Sequence, residues 1–177
     1  MNVRQNNMED MELKSLLRTA LQASLEAGEE IMRIYTDPKQ DFGIEKKADN
    51  SPLTLADKAS HQVIMRYLSM TDIPVLSEEG QHLPYEERKS WERLWVVDPL
   101  DGTKEFIKKN GEFTVNVALV EQDSPVLGVV YVPATRVLYY GIVGEGAWKC
   151  ESPAFAEGWP NLQGLLDGLF PEGQRGS

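Results

Sequence analysis

The spacing of apolar residues changes from one part of the chain to the next, and this change constrains the fold most. From residue 8 to 35, and again within 51–68, apolar residues recur every three or four positions, which is typical of amphipathic helices. In 112–120 they alternate with other residues, and 126–132 and 137–142 are also expected to be strands. The pattern predicts an α+β fold with two N-terminal helices packed on an antiparallel sheet.

The domain organisation follows from where these patterns begin and end. The chain has 177 residues, of which 41% are hydrophobic, enough for one domain with a sizeable core. We place that domain at residues 8–150. Residues 151–177 are rich in proline and glycine and show no sustained period, so we expect a disordered tail with at most a helical turn at 162–169.

Composition excludes several classes of protein. A net charge of −10 argues against a broad nucleic-acid-binding surface. No apolar stretch approaches the ~20 residues that span a bilayer, so no integral membrane segment is expected. Cys150 is the single cysteine, and His61 and His82 are far apart, so neither a disulfide nor a zinc site is expected. We predict a cytoplasmic protein and leave open a peripheral association with the inner membrane.

Two apolar runs each end in carboxylates. The run before Asp98 continues as Asp-Pro-Leu-Asp-Gly, and the earlier run ends in Glu78 and Glu79. The proline and glycine favour a turn that places Asp98 and Asp101 on one side, with the Leu100 carbonyl between them. Bare carboxylates at this spacing repel each other, and a divalent cation relieves the repulsion.

Magnesium fits this set of oxygen donors. Mg²⁺ prefers carboxylates, water and phosphate oxygens, and two ions about 4 Å apart can hold both reacting oxygens of a phosphoryl transfer. Asp98 is the candidate bridging ligand, with Asp101 on one ion and Glu78 on the other. The alternative is a pair of solvated acidic turns without function. Thr103 could position a water, and the N–H groups of Gly102 and Thr103 could bind an anion.

The stretches WVVDPLDGTKEFI, LSEEG and KADNSPLTLAD together resemble the inositol monophosphatase superfamily of magnesium-dependent phosphatases. They are most similar to its 3'(2'),5'-bisphosphate nucleotidase branch, over roughly residues 11–150. The resemblance implies the first half of the inositol monophosphatase-like sugar phosphatase fold. It also implies hydrolysis of a small phosphorylated nucleotide, adenosine 3',5'-bisphosphate, to AMP and phosphate with Mg²⁺ as cofactor.

The resemblance also assigns roles to residues. The implied metal ligands are Glu78, Asp98, the Leu100 carbonyl and Asp101. The implied substrate contacts are Glu78, Leu100, Asp101, Gly102 and Thr103. Thr103 with Asp49 or Asp57 would activate the attacking water, and Lys46 and Thr54 would support the site. Asp57 could instead simply cap the second helix, and His61 is expected to be a surface or packing residue.

One feature of the superfamily does not occur in this sequence. Its members carry a second portion of about a hundred residues, with a Trp-Asp motif whose aspartate completes the second metal site. Trp159 is followed here by Pro160. We therefore expect a truncated fold and impaired activity. The alternatives are an inositol or sugar phosphatase of the same superfamily and a non-catalytic, metal-binding remnant.

Overall fold

The computed structural model describes residues 3–39 and 41–151. The helices are α1 (Val3–Tyr35), α2 (Leu55–Leu68), α3 (Tyr85–Arg88) and α4 (Thr103–Lys108), with a 3₁₀ turn at Ser69–Thr71. The strands are β1 (Glu45–Lys46), β2 (Pro52–Leu53), β3 (Val75–Ser77), β4 (Arg93–Asp101), β5 (Thr114–Glu121), β6 (Ser124–Val132), β7 (Val137–Ile142) and β8 (Gly146–Cys150). The predicted tail, beyond residue 151, lies outside the described residues.

Six strands form one sheet in their chain order, β3 to β8, and β1 and β2 form a separate pair. The strands from β4 to β8 pair antiparallel; short turns join β5 to β6, β6 to β7 and β7 to β8, whereas the segment that contains α4 joins β4 to β5. The pair β3–β4 is parallel, because the segment that contains α3 carries the chain back to the same end of the sheet. The α+β prediction, with two helices on an antiparallel sheet, is confirmed, and the parallel pair is a detail that it did not include.

The core lies between the two long helices and one face of the sheet. Helix α1 packs on β5, β6 and β7, whereas α2 packs on β3 and β4. Alternation along β5 buries Val115, Val117 and Leu119 against the helices. A Cβ at Gly28 would lie 2.3 Å from Tyr131 Cε1, so only glycine lets α1 approach β6 this closely. The largest fully buried side chains are Trp95, Phe106, Phe113, Leu17, Leu21, Leu25, Ile31, Ile64, Leu68, Leu119, Leu138 and Val115.

The other face of the sheet carries an open groove of about 870 Å³. Its mainly apolar lining includes Val96, Val130 and Tyr139, and Glu78 and Asp98 also belong to it. Among the described helices, none combines the length and the apolarity needed to cross a membrane.

Candidate active site

The parallel pairing of β3 and β4 brings the two acidic strand ends together. Ser77, the last residue of β3, is paired with Val97 of β4. The Glu78 N–H then donates to the Val97 carbonyl at 3.0 Å. Glu78 and Asp98 directly follow this pair of residues in the chain, and a hydrogen bond between their side chains contributes to a raised pKa of Asp98. The sequence suggested this proximity on the condition that the strands were neighbours, and they are.

The electrostatics of Asp98 reflect this crowding. Burial raises the pKa of Asp98 to about 7, and the neighbouring Glu78 and Asp101 carboxylates add to the rise. One contact acts in the other direction, because the Leu100 N–H donates to Asp98 Oδ1 at 3.2 Å. The three carboxylates therefore share one negative region, in which a cation would be favoured.

Lys47 supplies positive charge to this region. Its Nζ lies 3.1 Å from Glu78 Oε1 and also contacts Glu79. Burial opposes the charge, but hydrogen bonds to Glu79 and Glu78 raise the pKa of Lys47 overall. The sequence had pointed to Lys46, which is exposed on β1. Adjacent strand residues face opposite sides, so the motif alone could not choose between the two lysines.

Asp101 lies across an irregularity in the β4–β5 ladder. Asp98 is paired with Asn116 and Asp101 with Thr114, and the register shifts between the two pairs. Asn116 Nδ2 donates to Asp101 Oδ2 at 3.2 Å, and Thr114 Oγ1 donates to Asn116 Oδ1 at 3.0 Å. Asn116 therefore orients Asp101, and sequence reasoning missed it because it treated β5 only as an alternating strand.

Three polar side chains next to the acidic turn are joined by hydrogen bonds: Thr54 and Asp57 are buried, and Thr103 is partly buried. Thr103 Oγ1 donates to Asp57 Oδ1 at 2.8 Å, and Thr54 donates to Asp57 Oδ2 through its backbone N–H at 2.8 Å and its hydroxyl at 2.6 Å. Asp57 is fully buried, and Thr54 is the N-cap of α2 in a capping box with it. Asp57 is thus both the expected helix-capping residue and a partner of Thr103.

Asp49 occupies a different environment. Its Oδ1 accepts hydrogen bonds from the Ser51 N–H at 3.0 Å and the Ser51 hydroxyl at 2.6 Å. These hydrogen bonds hold the pKa of Asp49 below its usual range. The side chain is exposed, and the hydrogen bond of Thr103 goes to Asp57. Of the two alternatives, the structure brings Asp57 to Thr103, and the role of Asp49 stays a prediction.

Two contacts hold the backbone of the acidic turn. Ser60 of α2 is fully buried, and its hydroxyl donates to the Pro99 carbonyl at 2.6 Å. Gly102 adopts φ +97°, and a Cβ there would lie 2.8 Å from the Glu112 carbonyl oxygen, so glycine is required. Gly102 is also the N-cap of α4, which no side chain caps in the described part of the protein. Its predicted substrate contact stays a prediction.

Helix α2 also contacts the other acidic turn. His61 Nδ1 lies 2.9 Å from Ser77 Oγ, and Ser77 is buried at the end of β3. Burial lowers the pKa of His61, while the charge of Glu79 opposes the change. The sequence assigned His61 to the surface or to packing, and this specific contact with Ser77 was missed.

The donors converging here suit a hard cation. Within residues 3–39 and 41–151, no three His, Cys, Asp or Glu side chains form a group that could hold a metal ion by themselves. The candidate site instead offers two adjacent carboxylates, Glu78 and Asp98, near the Leu100 carbonyl, which lies 3.4 Å from Thr103 Oγ1. Mg²⁺ typically takes one or two carboxylates and completes its shell with water and phosphate. These residue types therefore fit Mg²⁺, and ligation by Glu78, Asp98, the Leu100 carbonyl and Asp101 stays a prediction.

The sequence and the fold together define the class of protein. Residues 12–166 match the model of the inositol monophosphatase family, so the chain belongs to that family. Members of the family are generally Mg²⁺-dependent.

Within this family, the chain is similar to several proteins named as bisphosphate nucleotidases. The chain is 53% identical to the 3'(2'),5'-bisphosphate nucleotidase CysQ of Salmonella typhimurium over 138 aligned residues. The alignment covers 77% of this chain and 55% of that protein. Identity to the CysQ protein of Haemophilus influenzae is 36% over 136 residues, or 49% of its length. The chain thus spans about half the length of the curated relatives it matches.

Comparison with solved structures leads to the same family. CysQ from Bacteroides thetaiotaomicron, a bacterial member of the inositol monophosphatase family, superposes with a TM-score of 0.73 at 51% identity, covering 87% of this chain and 56% of that one. The suppressor protein suhB of Bartonella henselae gives a TM-score of 0.68 at 28% identity, covering 76% of this chain and 52% of its own. The expected family and its fold are therefore confirmed.

Proposed function

We propose that the protein is a Mg²⁺-dependent phosphatase that hydrolyses adenosine 3',5'-bisphosphate to AMP and phosphate. The observation that carries this proposal is the juxtaposition of Glu78, directly after β3, and Asp98, on the paired parallel strand β4. Similarity to the bisphosphate nucleotidase of Salmonella typhimurium supports the choice of substrate.

The chain's own residues divide the chemistry between two groups. Glu78, Asp98, the Leu100 carbonyl and Asp101 would hold Mg²⁺, which when bound polarises the phosphoryl oxygens and offsets their charge. The Thr103 hydroxyl donates a hydrogen bond to Asp57. The oxygen of Thr103 is therefore oriented to accept a hydrogen bond from a water. This orients a water for attack on phosphorus while the ester P–O bond breaks.

The anionic substrate needs positive charge in a protein with an excess of acidic residues. The chain has 28 acidic and 18 basic side chains, and a bound cation would supply the local positive charge that phosphate requires. The N–H groups at the start of α4 are the proposed phosphate contacts on the protein side.

An inositol phosphate is the second candidate substrate, and the family match favours it over unrelated phosphoesters. The higher identity to the bisphosphate nucleotidases favours the nucleotide. The earlier expectation of impaired turnover stays a prediction, as do a cytoplasmic location and a peripheral association with the inner membrane.

The test is phosphate release by the 177-residue chain, with Mg²⁺ or with EDTA, from adenosine 3',5'-bisphosphate and from inositol 1-phosphate. We expect Mg²⁺-dependent release from the nucleotide only, at a rate below that of the Salmonella typhimurium enzyme. Glu78→Gln should abolish release. Glu30→Gln is the matched control, because it removes a carboxylate from an exposed ion pair with Arg33 on α1.

Each contrary result has a defined meaning. Release from inositol 1-phosphate alone would transfer the assignment to the inositol phosphatases. Calorimetry that detects binding of Mg²⁺ and nucleotide without release would identify a non-catalytic metal-binding protein. Release that persists in EDTA or in Glu78→Gln would contradict the proposed site.

A further inference from the structure

His61 connects helix α2 to β3, the strand that directly precedes Glu78. Its Nδ1 lies 2.9 Å from Ser77 Oγ, and the imidazole is half-buried. Ser77 is only 8% exposed and directly precedes Glu78 in the chain. The contact bridges sixteen positions in sequence, so it joins two elements that the local chain does not hold together.

The imidazole also lies near the turn that follows Ser77. The Gly80 N–H donates to the Ser77 carbonyl at 3.0 Å, which closes a tight turn around Glu78 and Glu79. A Cβ at Gly80 would lie 3.2 Å from the Ser77 carbonyl oxygen and 3.8 Å from His61 Cε1. The side chain and backbone of Ser77 are therefore both held, one by His61 and the other by the turn.

The same helix holds the opposing carboxylate turn. Ser60, the neighbour of His61, donates to the Pro99 carbonyl at 2.6 Å. Two consecutive residues of α2 thus contact residues next to the two carboxylates: Ser60 contacts Pro99, which follows Asp98, and His61 contacts Ser77, which precedes Glu78. The distance between Glu78 and Asp98 therefore depends on helix α2 as well as on the pairing of β3 with β4.

We propose that His61 is a positioning residue that, through Ser77, fixes Glu78 at the distance from Asp98 at which the two can share a divalent cation. This inference rests on the proposed function, because it concerns the same cation site. Residues that orient metal ligands typically contribute about 10–100-fold to metal affinity. A residue that only fills space would affect folding stability and leave the affinity of the folded protein unchanged.

The atom that makes the contact provides a selective test. The amide of asparagine can occupy the position of Nδ1, whereas the longer glutamine places its amide nearer to Nε2. An asparagine amide can present either a donor or an acceptor, so the substitution works for either tautomer of His61. His61→Asn should therefore keep the bond to Ser77, and His61→Gln should lose it.

The experiment measures Mn²⁺ affinity by electron paramagnetic resonance for the whole chain and its variants. We expect His61→Ala and Ser77→Ala each to weaken binding by about 10–100-fold. The double variant should bind no more weakly than either single variant, because both substitutions remove the same contact. His61→Asn should match the wild type within about twofold, and Gln62→Ala, an exposed neighbour on α2, serves as the control.

The outcomes separate this inference from the proposed function. If the wild type binds Mn²⁺ and His61→Ala binds it equally well, the positioning role is wrong and the metal site stands. If the wild type binds no Mn²⁺, the metal site fails and this inference fails with it. If His61→Ala does not fold, the comparison of His61→Asn with His61→Gln decides, and equal affinities for these two would overturn the inference.

Discussion

Replacing Asp98 by asparagine should stabilise the metal-free protein at alkaline pH. The pKa of Asp98 rises from 3.8 to about 7, roughly three units. At about 1.4 kcal/mol per unit, ionising this carboxylate in the folded state costs up to about 4 kcal/mol. Glu78 shares the repulsion and solvent partly screens it, so we expect the asparagine variant to recover about 2 kcal/mol.

The sign of the pH dependence follows from the raised pKa. Below pH 4 Asp98 is protonated in both the folded and the unfolded state, so the substitution has little effect there. Between pH 4 and 7 the unfolded carboxylate ionises first, which lowers the stability of the wild type. Above pH 7 the penalty is complete, and the advantage of Asp98→Asn is largest.

Thermal unfolding in EDTA at pH 5 and pH 8 checks this reasoning. At pH 8 the variant should melt about 4–8 °C above the wild type, and at pH 5 the difference should be clearly smaller. Adding Mg²⁺ at pH 8 should stabilise the wild type by about 1.4 kcal/mol for each tenfold excess over its dissociation constant, and the variant little. Asp123→Asn, at an exposed turn, is the control. An equal shift at both pH values, or destabilisation at pH 8, would refute the argument.

Three further substitutions test the surroundings of the acidic turn. Thr103→Val loses the bond to Asp57 and should lower phosphate release by about 100-fold or more while Mn²⁺ affinity is kept, and Thr103→Ser should restore most of the activity. Ser60→Ala leaves the buried Pro99 carbonyl without its partner and should cost about 1–3 kcal/mol in urea denaturation. Gly102→Ala forces a side chain into φ +97° and should destabilise by at least about 1 kcal/mol in the same assay.

Much of the architecture could be predicted because it depends on local periodicity. The spacing of apolar residues indicated both long helices, and β7 begins and ends where it was expected, at Val137 and Ile142. The acidic strand ends were also recognised, since the turn residues around Asp98 are informative by themselves. The approach of Glu78 to Asp98 needed one further condition, the pairing of β3 with β4, which the structure supplies.

The contacts that were missed depend on distant parts of the chain. Asn116 reaches Asp101 only because β5 pairs with β4 in one particular register. Lys47, the residue after the two-residue strand β1, reaches Glu78 across thirty-one positions of the chain, and the supporting role expected of Lys46 stays a prediction. No local pattern encodes a register or a facing direction of this kind, so the surroundings of a site are harder to predict than its motif.

The central claim is that Glu78 and Asp98 share one divalent cation. The most direct measurement is a crystal structure of the chain grown with Mn²⁺, with an anomalous difference map collected at the manganese edge. If the two carboxylates share the ion, a peak is expected within about 2.0–2.3 Å of a carboxylate oxygen of each residue. A map without a peak there at saturating Mn²⁺, or with the ion bound by other carboxylates, would contradict it.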